Sequence, residues 1–303
     1  MYKNNVNGML LFDKPKGISS NYILQKVKKI FCAKKAGYIG TLDPLATGLL
    51  PICFGESTKF VEQINNSKKC YYVVAKLGEV TATYDSQGVI LNTKKVQFSY
   101  LDLYSSLHIL KKRIVQIVPI YSAIKYRGRA LYKYARKNIS IPKITRNIRI
   151  YKLRCIEYNN TFITLKITCS KGTYVRRLVH DLGVLLKCGA HVISLRRLRV
   201  SSYKITRAIT LHQLNTVVKK YPSNISHHIL LKFLIPVQAL FFTLPEMICS
   251  DYNSIHDIKN RIYFFNSDTP KFFRITIQNN NKMFILGKIN QIGQLILCKL
   301  LNI

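Results

Sequence analysis

Acidic side chains are scarce in this chain, with 13 Asp and Glu against 48 Lys and Arg, a formal net charge of +35. A folded particle with that imbalance repels itself and attracts polyanions. Nucleic acid is the obvious one, and its binding weakens steeply as salt rises because each neutralised phosphate releases counterions. Drift in an AT-rich genome inflates Lys, Asn, Ile and Tyr together, but it does not explain where acids are missing. Paired cysteines are also lacking. The eight cysteines stand singly at 32, 53, 70, 155, 169, 188, 249 and 298, with no CxxC among them, which argues against a zinc site. Isolated cysteines in apolar runs, such as Cys53 in LLPICFG and Cys169 in LKITCS, behave as small buried hydrophobes and fit a reducing cytoplasm. Long apolar runs are absent too. The start, MYKNNVNGMLLFDKPKG, has an apolar run of four residues before Asp13 and Lys14, too short for a signal-peptide core. The greasiest stretch, Ile229 to Phe242, is broken by Lys232, Pro236 and Gln238 and falls short of a membrane span. A soluble cytoplasmic protein, with no membrane partner, is expected.

What is present is 303 residues, 48% hydrophobic and 20% charged, enough for one sizeable core and a smaller second unit. Between Asp102 and Glu157 there is no acid, while fourteen Lys and Arg occur, among them Lys125, Arg127, Arg129, Lys133, Arg136, Arg146 and Arg149. A solvated helix face interleaves both signs. Tyr121, Tyr126, Tyr132 and Tyr134 alternate with these cations, which suits a surface that grips phosphates and packs rings on sugars or bases.

Met9 to Phe12 reads as a short buried strand, followed by a turn at DKPKG and a helix from about Ser20 to Phe31. Ile23, Val27, Ile30 and Phe31 recur there at helical spacing, with Ser20 as cap. Lys34 to Leu42 reads as a glycine-punctuated loop, and Asp43 and Pro44 open another helix, since Asp caps well and Pro suits a first turn. Strands are expected over Tyr71 to Leu77, Arg149 to Ile156 and Phe162 to Cys169, the last two as a hairpin turning at YNN. A helix from about Tyr174 to Leu186 and a strand near His191 to Val200 follow. The pattern from Leu211 to about Leu240 is helical, TLPEMICSDYN reads as a linker, and RITIQ, MFILGKI and QLILCKL as strands of a small β unit. Such an order points to an α+β fold with a mixed, largely antiparallel central sheet and flanking helices.

The segment GYIGTLDPLATGLLPICFGESTKF, Gly37 to Phe60, carries the most information. For an arbitrary Asp-Pro the plain reading is a helix cap. Here Gly37 and Gly40 let the backbone approach a ligand or take positive φ, and a helix start would aim its amides at whatever lies above the loop. A carboxylate with an ordinary pKa of about 3.9 stays ionised near neutrality and can act as a nucleophile without a separate base.

GTLDPLATGLLP resembles the catalytic loop of the TruB family of tRNA pseudouridine synthases. LLFDKPKGISS resembles the family's amino-terminal motif, and KKCYYVVAKLGEVTATYDSQG the strand whose tyrosine contacts the target base. PIYSAIKYRGRALYKYAR and CSKGTYVRRLVHDLGVLLKCGAHVISLRRLRV match further motifs in the same order. The likeness runs from about Gly8 to Val200 and fades beyond.

Carried over, the resemblance implies Asp43 as nucleophile, Tyr71 as base-stacking tyrosine, Tyr174 as the second aromatic under the base and Arg176 as partner of the aspartate. Leu195 becomes a contact in the pocket wall. Lys14 and, from the acid-free basic segment, Arg129, Arg136 and Arg146 are expected to bind substrate. Taken singly, Tyr71 and Tyr174 could equally be half-buried aromatics and Arg176 a surface cation. The family's histidine just after the first glycine of the loop is replaced by Tyr38, whose ring can still stack in the space a flipped base leaves.

The resemblance further implies a catalytic domain over residues 1–247, with a basic RNA-binding insertion at about 103–156, and a divergent PUA-like RNA-binding domain over 248–303. It implies isomerisation of uridine 55 in the T loop of tRNA by a monomer, without cofactor, guide RNA or protein partner. His180 reads as structural or surface, His191 as a satisfied strand histidine, and His227 and His228 as a pair without metal. Two other classes remain open on sequence grounds: an RNA-binding scaffold that has lost catalysis, and a basic ribosome-associated protein.

Overall fold

Residues alternating between two apolar environments build the centre of the molecule in the computed structural model. It describes residues 5–241, 246–249, 272–277, 283–289 and 295–302. The elements in chain order are β1 (Gly8–Lys14), α1 (Ser20–Ile30), β2 (Ala36–Tyr38), β3 (Thr47–Phe54), α2 (Val61–Asn65), β4 (Lys69–Leu77), β5 (Glu79–Thr81) and β6 (Ile90–Thr93). Then come α3 (Tyr100–Lys112), β7 (Val115–Ile117), β8 (Lys125–Tyr126), β9 (Arg129–Ala130), α4 (Leu131–Ala135), β10 (Thr145–Asn147), β11 (Ile150–Asn159), β12 (Phe162–Cys169), α5 (Val175–Leu185), β13 (Ala190–Val200) and β14 (Tyr203–Lys204). The last are α6 (Leu211–Lys220), α7 (Ser223–Leu231), β15 (Leu234–Ile235), β16 (Glu246–Cys249), β17 (Phe272–Ile277), β18 (Met283–Ile289) and β19 (Leu295–Asn302).

The central sheet runs β11-β12-β4-β13-β3-β1-β15, with β14 added to β13 and β2 to β3. Its pairings are antiparallel except β13 with β3, so the expected mixed, largely antiparallel sheet is present. Leu10, Phe12, Leu50, Ile52, Tyr71, Val73, Leu165 and Ile167 enter one core with Ile23 and Val27 of α1 and Leu178, Val179 and Leu182 of α5. The intervening Met9, Leu11, Leu49 and Cys53 enter a second core on the opposite face with Phe60, Ile64, Val237 and Leu240. The parallel junction needs a side-chain-free position at Gly48. Its φ is +101°, and a Cβ would lie 2.4 Å from the carbonyl oxygen of Arg197. Strand β13 carries an irregularity: Arg197 pairs with Tyr71 but Arg199 with Cys70, leaving Leu198 as an extra residue.

Several local expectations are corrected. Helix α1 is capped by Ser19, whose side chain accepts from Tyr22 N, and Ser20 is its first residue. The stretch from Lys34 to Leu42 contains β2. No helix begins at Asp43: residues 43–46 form a turn, with Ala46 N donating to Asp43 O at 3.0 Å, and the chain then enters β3. The apolar run there alternates between two cores, and that period of two overrides the local Asp-Pro signal. The helical stretch after Leu211 is two helices, closed by a Tyr221-Pro222 break and followed by β15. The supposed linker holds β16, which pairs in parallel with β17 in a four-stranded sheet β16-β17-β18-β19; its other residues lie outside the described ones. No helix among the described residues is long and apolar enough to cross a membrane.

Candidate active site

The loop between β2 and β3 is held from three sides. Ser20 Oγ donates to Leu42 O at 2.8 Å and accepts from Leu42 N at 2.9 Å. Gly17 N donates to Pro44 O at 2.8 Å. Beneath it, fully buried Arg197 donates from Nη2 to Ile39 O at 3.2 Å and Gly40 O at 2.9 Å, and from Nε to Leu49 O at 2.7 Å. Gly40 has φ +68°, and a Cβ there would meet Arg197 Nη1, Lys69 Cε and Asn65 Oδ1 at 3.1 to 3.2 Å. The loop therefore presents Asp43 at a fixed place, with its side chain 34% exposed.

Arg176, in the first turn of α5 and only 4% exposed, faces that carboxylate. Its Nη2 donates to Asp43 Oδ1 at 3.3 Å, and its Nε lies 2.9 Å from Oδ2, off the N–H axis, so this second contact is one of charge. The same guanidinium reaches buried Asp85, with Nη1 3.2 Å from Oδ2, and donates to Thr83 O at 2.8 Å and Tyr121 O at 3.1 Å. Asp85 is tied down by Thr83 Oγ1 at 2.6 Å and Gln87 N at 3.1 Å. Two carboxylates thus share one cation.

Beside Asp43 opens a cavity of about 320 Å³, lined also by Tyr71, Tyr174, Leu195, Arg146 and Lys69, at the small end of ligand clefts. Tyr71 is buried on β4, and burial pushes its phenol up to about 12, with Arg197 beside its hydroxyl acting the other way. Burial raises the Tyr174 phenol as well. Tyr174 precedes α5, and the Gln116 side chain grips its backbone, accepting from Tyr174 N at 2.8 Å and donating to Tyr174 O at 3.1 Å. Arg146 donates to Gly172 O at 3.3 Å at the cavity edge. Burial lowers the Lys69 ammonium to about 8, with Arg197 adding to the effect.

The structure thus brings Asp43, Tyr71, Tyr174, Arg176, Leu195 and Arg146 together, and leaves other expected site residues elsewhere. Lys14 is fully enclosed, its ammonium bonded to Pro15 O at 2.8 Å, Ile18 O at 2.6 Å and Pro44 O at 3.4 Å. It shapes the Asp43 loop from behind, and burial lowers it to about 8 against the opposing pull of Asp43. Tyr38 pairs with Ile52 and packs on the main core, outside the cavity lining. Arg129 lies on β9, and Arg136 follows α4 with its guanidinium 5.2 Å from the Tyr132 ring centroid; neither lines the cavity. Asp85, Gln116, Lys69 and Arg197 were not picked out from sequence. His180 stacks on Tyr84 at 4.1 Å, and burial lowers its pKa. His191 is buried with Nδ1 3.4 Å from Glu79 O.

The arrangement offers a carboxylate with spare lone pairs at a cavity that two tyrosines also line, with the buried Arg176 guanidinium against the carboxylate. Such a site can hold a planar base and act on the sugar attached to it. Comparison with known proteins gives the family. The family profile described as TruB family pseudouridylate synthase (N terminal domain) matches residues 28–175, and that described as tRNA pseudouridylate synthase B C-terminal domain matches 176–241. The tRNA pseudouridine synthase B of Buchnera aphidicola subsp. Schizaphis graminum is 44% identical, covering 99% of this chain and 97% of that protein. That of Shigella boydii serotype 4 is 42% identical, covering 95% and 93%. A chain in the crystal structure of a Cbf5-Nop10-Gar1 complex shares the fold with a TM-score of 0.68 at 20% identity, covering 97% of this chain and 84% of that one. With a profile match across most of its length and close relatives end to end, the chain belongs to the TruB family of pseudouridylate synthases.

Proposed function

We propose that the protein isomerises uridine 55 in the T loop of tRNA to pseudouridine, acting as a monomer on the tRNA itself without guide RNA, cofactor or protein partner. The observation that carries this reading is the Asp43 carboxylate, paired with buried Arg176 and set at the rim of a cavity that Tyr71 and Tyr174 also line.

The target nucleotide leaves its stack at a cost of about a few kcal/mol and enters this cavity. The reaction breaks the bond from ribose C1′ to uracil N1, turns the base, and joins C1′ to C5. The C5 proton is then lost and N1 gains one, so the nucleotide is an isomer of the original. Asp43 assists by attack at C1′ or by removing a ribose proton to give a glycal. Arg176 offsets the desolvation of that carboxylate once the base fills the site. Tyr71 and Tyr174 hold the detached uracil between them, and Leu195 closes one wall. The Tyr71 phenol keeps its proton across the physiological range, since it is pushed up to about 12, so it handles the C5 proton as a relay: its oxygen accepts that proton as its O–H passes one on to water. Arg146 at the rim, with Arg129 and Arg136 on the basic segment, engages the T-stem phosphates. The β-rich unit after residue 247 is assigned a PUA-like RNA-binding role.

The test is tritium release from unmodified tRNA labelled at uridine C5. Wild type releases label and Asp43→Asn does not, while both bind the tRNA equally. Equal binding with no release from either protein would make the chain an RNA-binding scaffold.

A further inference from the structure

We propose a second RNA-binding surface on the face of the central sheet opposite the catalytic cavity, a groove that takes a phosphate backbone independently of the target uridine. Strand register places it. Cys70, beside the cavity-lining Tyr71 on β4, points to the other face, and the residues paired with it continue the row. Lys152 pairs with Thr168, Thr168 with Cys70, Cys70 with Arg199, and Arg199 with Lys204. Arg154 pairs with Lys166 in the adjoining row. Together they line a cavity of about 460 Å³. Across five strands the row spans about 19 Å at the usual strand spacing, long enough for several nucleotides.

Charge identifies the occupant. Five cations, Lys152, Arg154, Lys166, Arg199 and Lys204, line the groove with no acid among its lining residues, and none forms an ion pair with another described residue. Arg154 stands directly opposite Lys166, and Arg199 opposite Lys204. Like charges in that relation destabilise a sheet. Arg196, whose register partner Tyr72 is on this same face, is by contrast neutralised by Asp13 at 2.6 Å. Arg199 Nε is buried and has no hydrogen-bond partner among the described residues. At the other end of the sheet this face is covered by Phe60, Ile64, Val237 and Leu240. A flexible polyanion satisfies every one of these groups at once, and tRNA, the substrate assigned above, supplies one outside its target loop. The groove stands apart from that assignment, because it needs only RNA backbone and no reaction.

Arg199→Gln, Lys166→Gln and Lys204→Gln combined change three groove-lining side chains on three strands. The full-length protein is first saturated with an isolated T stem-loop, and binding of a labelled oligouridylate of about 12 nucleotides is then measured against salt. Wild type binds it, and the triple variant binds more weakly, with a log–log salt slope shallower by about 2. Tritium release from the stem-loop alone is the same for both proteins. The proposal is overturned if the saturated wild type takes up no second RNA, if the variant keeps the wild-type slope, or if inorganic polyphosphate binds the groove and the oligonucleotide does not. It is overturned as well if the triple variant loses stem-loop turnover, since the groove would then belong to the catalytic site. Absence of turnover in both proteins, with second-site binding intact, would count against the reaction and not against the groove.

Discussion

Arg176 is the residue on which the site turns, since it faces Asp43 with one edge and Asp85 with another. Asp85→Asn keeps acceptors for Thr83 Oγ1 and Gln87 N but removes the charge opposite Nη1. The guanidinium that faces Asp43 then loses its second ion-pair partner, and at a cost of about 1.4–2.8 kcal/mol in the barrier kcat for tRNA falls by about 10- to 100-fold with KM nearly unchanged. Steady-state tritium release checks this, and an unaltered kcat would detach Asp85 from the site. Asp43, Tyr71, Tyr174, Arg176 and Leu195 were all legible in the sequence, because motif resemblance marks each position. Asp85 was not. It lies within a quoted motif, but its partner is remote in sequence, and only the fold sets that distance to 3.2 Å. Lys14 was legible as part of a motif and assigned to substrate. Its burial against three carbonyl oxygens could not be read from DKPKG, which looks like an exposed basic turn.

At the scale of elements, the β2–β3 loop depends on one hydroxyl at the start of α1. Ser20→Ala strips both hydrogen bonds from the buried backbone of Leu42, and the orphaned groups cost about 1–3 kcal/mol. Urea unfolding reads this loss, and kcat drops with it because Asp43 is no longer held in place; a stability within experimental error of wild type would refute it. The main strands and helices were readable to within a few residues from their periodicity: β12 from the alternation in FITLKITC, and α1 from Ile23 and Val27. At Asp43 the Asp-Pro pair carries the local signal of a helix cap, and the strand that follows overrides it. Leu50, Ile52 and Phe54 face one core and Leu49 and Cys53 the other, a pattern two-sided burial makes look like a continuous apolar run.

For the molecule as a whole, buried titratable groups set a pH profile for stability. Lys14 and Lys69 fall from 10.5 to about 8 on folding, so between those values the unfolded chain binds more protons and stability rises with pH. Cys53 and Cys169 rise from 9.0 to about 12, and Tyr71 and Tyr203 from 10.0 to about 12. In their windows the folded chain holds more protons, and stability falls with pH. Cys155 and Cys188 are raised from 9.0 in the same direction, so the sum is a climb from pH 8 to 9, a turn to decline above 9 and a further decline above 10, measurable by denaturant unfolding across that range. A fall between pH 8 and 9 would contradict the burial of the two lysines. Net charge governs binding in a separate way. Replacing Arg129 and Arg136 by Ala lowers the log–log salt slope of tRNA binding by about 1 for each cation removed, and an unchanged slope would take the phosphate contacts away from β9 and α4.

The supernumerary Leu198 makes an unusual lesion survivable. Removing one residue from an inner strand ordinarily turns everything downstream inside out. Here a chain lacking Leu198 would close into a regular ladder, with Arg197 still opposite Tyr71 and Arg199 still opposite Cys70. The shortest indel in the sheet's interior would thus leave each arginine serving its own side.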